Sequence, residues 1–195
     1  TMGSWRAHGD STWGLVPFNV ERQDGGDTLV ANADPKLQVA TAYDQWDFQH
    51  RMRFHWKGGF IDLNIQHSTT GDVPRFDVYN DVAGGITKWA EWSYGPQQRS
   101  LAALTLQRAV AERWTWTTLA SLQKIEESRI KRRFGSDRRV VQKESLLVGG
   151  LTSMLRGRVG EGKVESGADV QGNAVESTAR FRNLASGLEG NEWTP

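Results

Sequence analysis

The sequence predicts an all-β chain, a segment of an antiparallel transmembrane β-barrel of about six strands with long extracellular loops and short periplasmic turns. Three observations carry this reading. First, YDQWDFQHRMRFHW (residues 43–56) interleaves Trp46, Phe48, Met52, Phe54 and Trp56 with Gln45, Asp47, Gln49, Arg51, Arg53 and His55. Successive strand side chains point to opposite faces, so one face is aromatic and the other densely polar. Second, the chain holds 21 Gly and 9 Trp but only 5 Pro, which suits tight turns and strands with aromatic anchors. Third, its connections alternate in length. They are short near 57–60, 109–113 and 157–162, and long at 1–42, 69–97 and 180–195. A soluble sandwich has no reason to sort its loops by side, whereas an outer-membrane barrel does.

Composition bounds the alternatives. With 195 residues the chain is long enough for one domain with a core. Lys plus Arg (24) nearly balances Asp plus Glu (23), so charge gives no case for a nucleic-acid partner. Without Cys there is no disulfide and no thiolate metal site. No apolar run approaches the ~20 residues of a membrane helix, but barrel strands need only ~10 alternating ones. No signal peptide opens the sequence.

Taken in order, residues 1–42 read as irregular except for a hairpin signal, Asp24-Gly25-Gly26-Asp27, between VERQ and TLVA. The long strand then meets Gly58-Gly59, read as a two-residue turn. Facing residues have numbers summing to 117 in that register, which sets Trp56 opposite Ile61, Phe54 opposite Leu63 and Met52 opposite Ile65. Residues 69–97 read as a long loop. The stretch 98–113 fits either an amphipathic helix or a strand turning near 109–113. The strand is favoured because Trp114, Trp116, Thr118, Ala120 and Leu122 then share one face, with Leu119 breaking the pattern. KIEESRIKRRF prolongs this strand with charge, Gly135-Ser136-Asp137 turns it, and RRVVQKESLLVGGLTSMLR returns. Consecutive Leu146, Leu147 and Val148 leave the facing of 139–156 open. The last strand sets Val164, Ala168, Val170 and Ala174 against Lys163, Glu165, Asp169, Gln171 and Asn173. Trp56, Trp114 and Trp116 lie beside short turns, where a periplasmic aromatic girdle belongs.

Few residues point to chemistry. The 117 register sets His50 against His67, but no third metal ligand accompanies them, so two interfacial imidazoles are the plainer reading. Glu126 and Glu127, with Arg129, Lys131, Arg132 and Arg133, suggest acid-base work or phosphate binding. A solvated strand projecting past the membrane explains them more simply. No nucleophile triad or phosphate loop is present, so the sequence gives no basis for an enzyme or a cofactor. Trp89, Trp92 and Tyr94 in KWAEWSYGP, with Arg75, Asp77 and Tyr79 in PRFDVY, are loop aromatics and charges of the kind that bind sugars or aromatic ligands. Packing of the loop on itself is the bland alternative. Gln45, Asp47, Gln49, Arg51, Arg53, Asp62, Asn64 and Gln66 are expected to face the lumen.

Four stretches, WGLVPFNVERQDGGDTLVANADPKLQVATAYDQWDF, QHSTTGDVPRFD, KWAEWSYGPQQRSLAAL and SLQKIEESRIKRRF, resemble the barrel of TonB-dependent outer-membrane receptors. The resemblance runs over nearly the whole chain, 1–195, which would then be an internal part of a ~22-stranded barrel. It implies a location in the outer membrane and active uptake of a siderophore, cobalamin or glycan. It implies as partners the outer-membrane lipid, a plug domain, the remaining strands, the TonB complex reached through a segment upstream, and further outer-membrane subunits. The competing expectations are a soluble β-rich carbohydrate-binding module and a structural barrel scaffold in a larger assembly.

Overall fold

The computed structural model describes residues 1–12, 18–80 and 82–192. Residues 13–17, which open the first resembling stretch, and 193–195, which end the last long connection, lie outside the described residues. The strands are β1 (Met2–His8), β2 (Phe18–Gln23), β3 (Gly26–Ala31), β4 (Tyr43–Trp56), β5 (Gly59–Thr70) and β6 (Val73–Pro74). A 3₁₀ turn, Phe76–Asn80, precedes β7 (Val82–Ala83), β8 (Ile86–Thr87) and β9 (Trp89–Tyr94). The long strands β10 (Gln98–Ala111), β11 (Trp114–Arg133), β12 (Arg138–Val159) and β13 (Gly162–Asn183) follow, then β14 (Glu189–Asn191). The chain is all-β and antiparallel, and no α-helix occurs among the described residues.

One ten-stranded sheet runs β1-β4-β5-β10-β11-β12-β13-β14, with β9 on β11 and β6 on β9. The six long strands are those the sequence predicts, and the short ones raise the count beyond six. The sheet is open: β1 forms one edge, β13 with β14 the other, and among the described residues nothing closes it. Short turns at 57–58, 112–113 and 160–161 line one end. At the other end β11, β12 and β13 run on past their neighbours. β10 pairs β11 only as far as Gln98 opposite Glu126, and β9 takes over from Tyr94 opposite Arg129.

The first hairpin differs in register from the sequence reading. Its turn is Lys57-Gly58, with Gly58 at φ 91°, and Trp56 faces Gly59. Phe54 meets Ile61, Met52 meets Leu63 and His50 meets Ile65. A shift of two residues leaves both faces intact, since side chains alternate with period two. Gly59 serves close approach rather than the turn. A Cβ there would lie 2.2 Å from the Gln107 carbonyl oxygen of β10 and 2.9 Å from the Trp56 ring.

Other expectations are corrected or met. Residues 1–42 hold β1, which pairs β4 along its whole length. The predicted hairpin at 24–27 forms with Asp24 and Gly25 both at positive φ, the geometry of a primed turn. Residues 69–97 are not one loop, because Trp89–Tyr94 is a strand. The stretch 98–111 is strand, not helix. The open facing of 139–156 resolves: Leu147 lies between Lys124 and Ala174, while Leu146 and Val148 point the other way, beside Val175 and Asn173.

Pairing continues one apolar face across six strands. Met52, Leu63, Leu104, Ala120, Leu151 and Val170 form one row, and Phe54, Ile61, Leu106, Thr118, Ser153 and Ala168 the next. Toward the turns lies Trp56, Gly59, Arg108, Trp116, Leu155 and Ser166. Trp114 spreads over Gly157, where a Cβ would sit 2.2 Å from the indole. Among the described residues nothing is layered on this face: Phe54 is 61% exposed and Val170 67%. The buried apolar residues Val78, Ala90, Ile130 and Ala179 lie instead where the long strands overhang.

Candidate functional site

The eight residues expected to line a lumen do share one face. Gln45, Asp47, Gln49, Arg51 and Arg53 alternate along β4, and Asp62, Asn64 and Gln66 stand opposite them on β5. Arg53 faces Asp62 directly and Arg51 reaches it diagonally, at 2.5 and 2.7 Å, so two guanidiniums share one carboxylate that is almost out of solvent. Asp47 accepts hydrogen bonds from Gln45 and Ser68. Arg99 of β10 bridges Gln66 and Gln123 at 3.3 and 3.0 Å. Leu119, the residue that broke the alternation, sits on this face between Thr105 and Thr152. The wall is therefore polar and cross-linked at β4–β5, and mixed further along.

The histidine pair does not form. Phe48 faces His67, and His50 faces Ile65, because of the two-residue register change. Their ring nitrogens go to Ser100 and Thr1 respectively. Among the described residues no three His, Asp or Glu side chains gather as a metal site would need.

The overhang brings together five of the six loop residues singled out as ligand-binding. Arg75 pairs with Asp77, donates to the Tyr94 hydroxyl at 3.4 Å, and lies 4.7 Å from the Trp92 ring centroid. Trp89 meets Trp92 edge-on at 4.7 Å. The guanidinium beside Asp77 holds that carboxyl below its usual range. Tyr79 is the exception. Its phenol is pushed above the ordinary range by burial and then by Glu91, against the opposing pull of Arg132, and among the described residues no bond or ring contact joins it to the other five.

Alternation splits KIEESRIKRRF into two environments. Ser128, Ile130 and Arg132 are buried. Arg132, expected to be solvated, is 7% exposed and bonds the fully covered Asp27 carboxylate of β3 at 2.6 Å. The Gly135 amide donates to the same carboxylate, and Arg22 flanks it while also pairing with Asp137. Burial raises the Asp27 pKa, but Arg132, the Gly135 amide and Arg22 outweigh it, so the group ends below the ordinary value. Arg139 pairs with Glu91 nearby at 2.8 Å. The β2–β3 hairpin is thus latched across the β11–β12 turn. The alternate residues Arg129, Lys131 and Arg133 stand on the opposite face, over Tyr94, Trp92 and Trp89 at 5.5, 5.7 and 5.7 Å. Sequence reasoning treated the charge run as a unit; its period of two was the signal that separates a latch from a ladder.

Comparison with known protein families, curated proteins and solved structures finds no match to the chain.

Proposed function

We propose that the chain is part of the wall and outer rim of a TonB-dependent-type outer-membrane receptor for active nutrient uptake. The observation that carries the reading is the uncovered apolar face of a single-layered sheet. Leu104, Leu122, Leu151 and Val170 are all 40% exposed or more, and each points the same way. In water such a continuous patch marks an interaction surface or an aggregation hazard; in a bilayer it meets hydrocarbon. On β11 the girdle residue Trp116 and the first charged residue of this face, Lys124, are separated by about 26 Å along the strand, or about 20 Å at a 40° tilt, against the ~25 Å of a barrel's apolar band. The short turns then lie on the periplasmic side and the overhang outside. The polar face lines the lumen, where it meets substrate or a plug domain. The open edges are completed by further strands, because unpaired backbone groups in hydrocarbon cost several kcal/mol each.

Membrane fractionation of the whole gene product, with folding followed by heat-dependent electrophoretic mobility, tests this. Outer-membrane location and a detergent requirement are expected. A monodisperse, cooperatively melting β-rich monomer in detergent-free buffer would replace the receptor with the soluble binding module.

A further inference from the structure

The two faces of the overhang treat their cations differently. On one, Arg132 is neutralised by Asp27 and Arg139 by Glu91. On the other, Arg129, Lys131 and Arg133 alternate along β11, and among the described residues none of them has a carboxylate within ion-pair distance. Arg129 and Arg133 are exposed and Lys131 is half-buried. Each sits over its directly paired aromatic neighbour on β9, Tyr94, Trp92 and Trp89. Arg75 adds a fourth cation above Trp92 and Tyr94, with Asp77 as its partner.

Stacking on a ring orients a cation without using its donors. A guanidinium over an aromatic face keeps its edge N–H groups available, and the ammonium keeps those pointing away from the ring. Same-face residues on a strand repeat about every 6.6 Å. The ladder is thus a row of positive charges at fixed spacing on a rigid element, in contact with solvent on its outer side. The row ends at Glu127, opposite Glu144 on β12, which confines an anion to the outer part. We propose that this ladder binds a polyanionic, oxygen-rich ligand carrying several carboxylate or similar oxygens, either a ferric chelate or an acidic oligosaccharide. The ladder's chemistry does not depend on the receptor reading; only the role of the captured anion as cargo rests on it.

Calorimetry on the full gene product in detergent tests the ladder with three probes: ferric citrate, tetragalacturonate and neutral maltotetraose. At least one anionic probe is expected to bind, more weakly as salt rises, and maltotetraose is not. Replacing Arg129, Lys131 and Arg133 together by Gln should weaken binding at least a hundredfold, at about tenfold per charge-assisted contact. Lys131→Arg retains binding, and so does Arg156→Gln near the short turns. Citrate alone identifies a metal chelate, galacturonate alone an acidic glycan, and both the shared anionic chemistry. No binding of either anion, equal binding of maltotetraose, or an unaffected triple variant would overturn the ladder. Fractionation of the same preparations judges the receptor reading separately, since an anion-binding protein found outside the membrane keeps the ladder and loses the receptor.

Discussion

The wall and the overhang are built from the same strands under opposite rules. In the wall, β4 to β13 leave their large apolar side chains uncovered, and the side chain most completely out of solvent there is an ion-paired Asp62. In the overhang the same strands bury Ile130, Ser128 and Arg132 beneath added elements, and β9 replaces β10 as the neighbour of β11. The overhang meets most of its hydrogen-bonding needs from within the chain, as a domain in water must, although the Trp92 indole N–H is buried without a partner. The wall's interior strands satisfy their backbone within the sheet, but its edges stay open and its apolar face calls for a partner. Strand length carries the difference, because β11 and β12 extend beyond the rows where that face ends.

The largest effect is expected where the overhang is most self-contained. Asp27→Ala leaves the Arg132 guanidinium buried without its carboxylate, and breaking such a pair costs about 3–5 kcal/mol. Hydrogen exchange of β2 and β3 amides should rise sharply while the wall strands stay protected. If the wall lost protection equally, the two regions would be one cooperative unit and the contrast would disappear.

In the wall, Leu151→Arg should impair membrane folding by about 2–4 kcal/mol, the cost of a charge at mid-bilayer on a barrel's lipid face. Thr152→Arg, one residue on, faces Asp169 on the polar side and should be nearly neutral. Folded fraction from heat-dependent mobility reads both. Equal penalties would remove the assignment of faces.

Gly157→Ala sharpens the girdle. The new methyl would meet the Trp114 indole, which must swing away and lose its seat, at about 1–3 kcal/mol for overpacking. Trp114→Ala with Gly157→Ala should cost less than the sum of the two single changes, since the clash is gone. A strictly additive pair would mean that the ring does not rest on the glycine.

Long, regular alternation made the wall legible in the sequence: β4, β5 and β11 are recognisable from residue type alone, and so is the polar row from Gln45 to Gln66. Register was less legible, because Gly58 and Gly59 look equivalent locally, and the space at Gly59 is limited by Gln107 on a third strand as well as by the Trp56 ring. Trp89–Tyr94 is six residues without clean alternation, so it read as loop until β11 supplied its partner. The latch was hidden for a different reason: Asp27 and Arg132 stand 105 positions apart, and each looks like an ordinary surface charge. The ligand residues fell between these cases. Their spacing put Trp92 and Tyr94 on one face, but nothing local could place Tyr79 apart from them.

The smallest expected effect concerns pH and separates the regions once more. The Asp27 carboxyl is held below its ordinary value in the folded chain, so its contribution is fully present above the unfolded pKa near ~3.9. It is lost only as pH falls through the still lower folded pKa. Between pH 8 and 5 the β2–β3 hairpin should therefore hold its exchange protection unchanged. Below about pH 4 protonation weakens the bond to Arg132, and the hairpin should release before the wall strands, which are held by continuous backbone ladders. Proteolysis in the 24–27 turn, sampled across pH with an acid-stable protease, reads the release. In Asp27→Asn the pH dependence should vanish, with the hairpin already loosened at neutral pH. A transition near pH 6 in the unsubstituted chain would point to a histidine instead and remove Asp27 as the group that holds the latch.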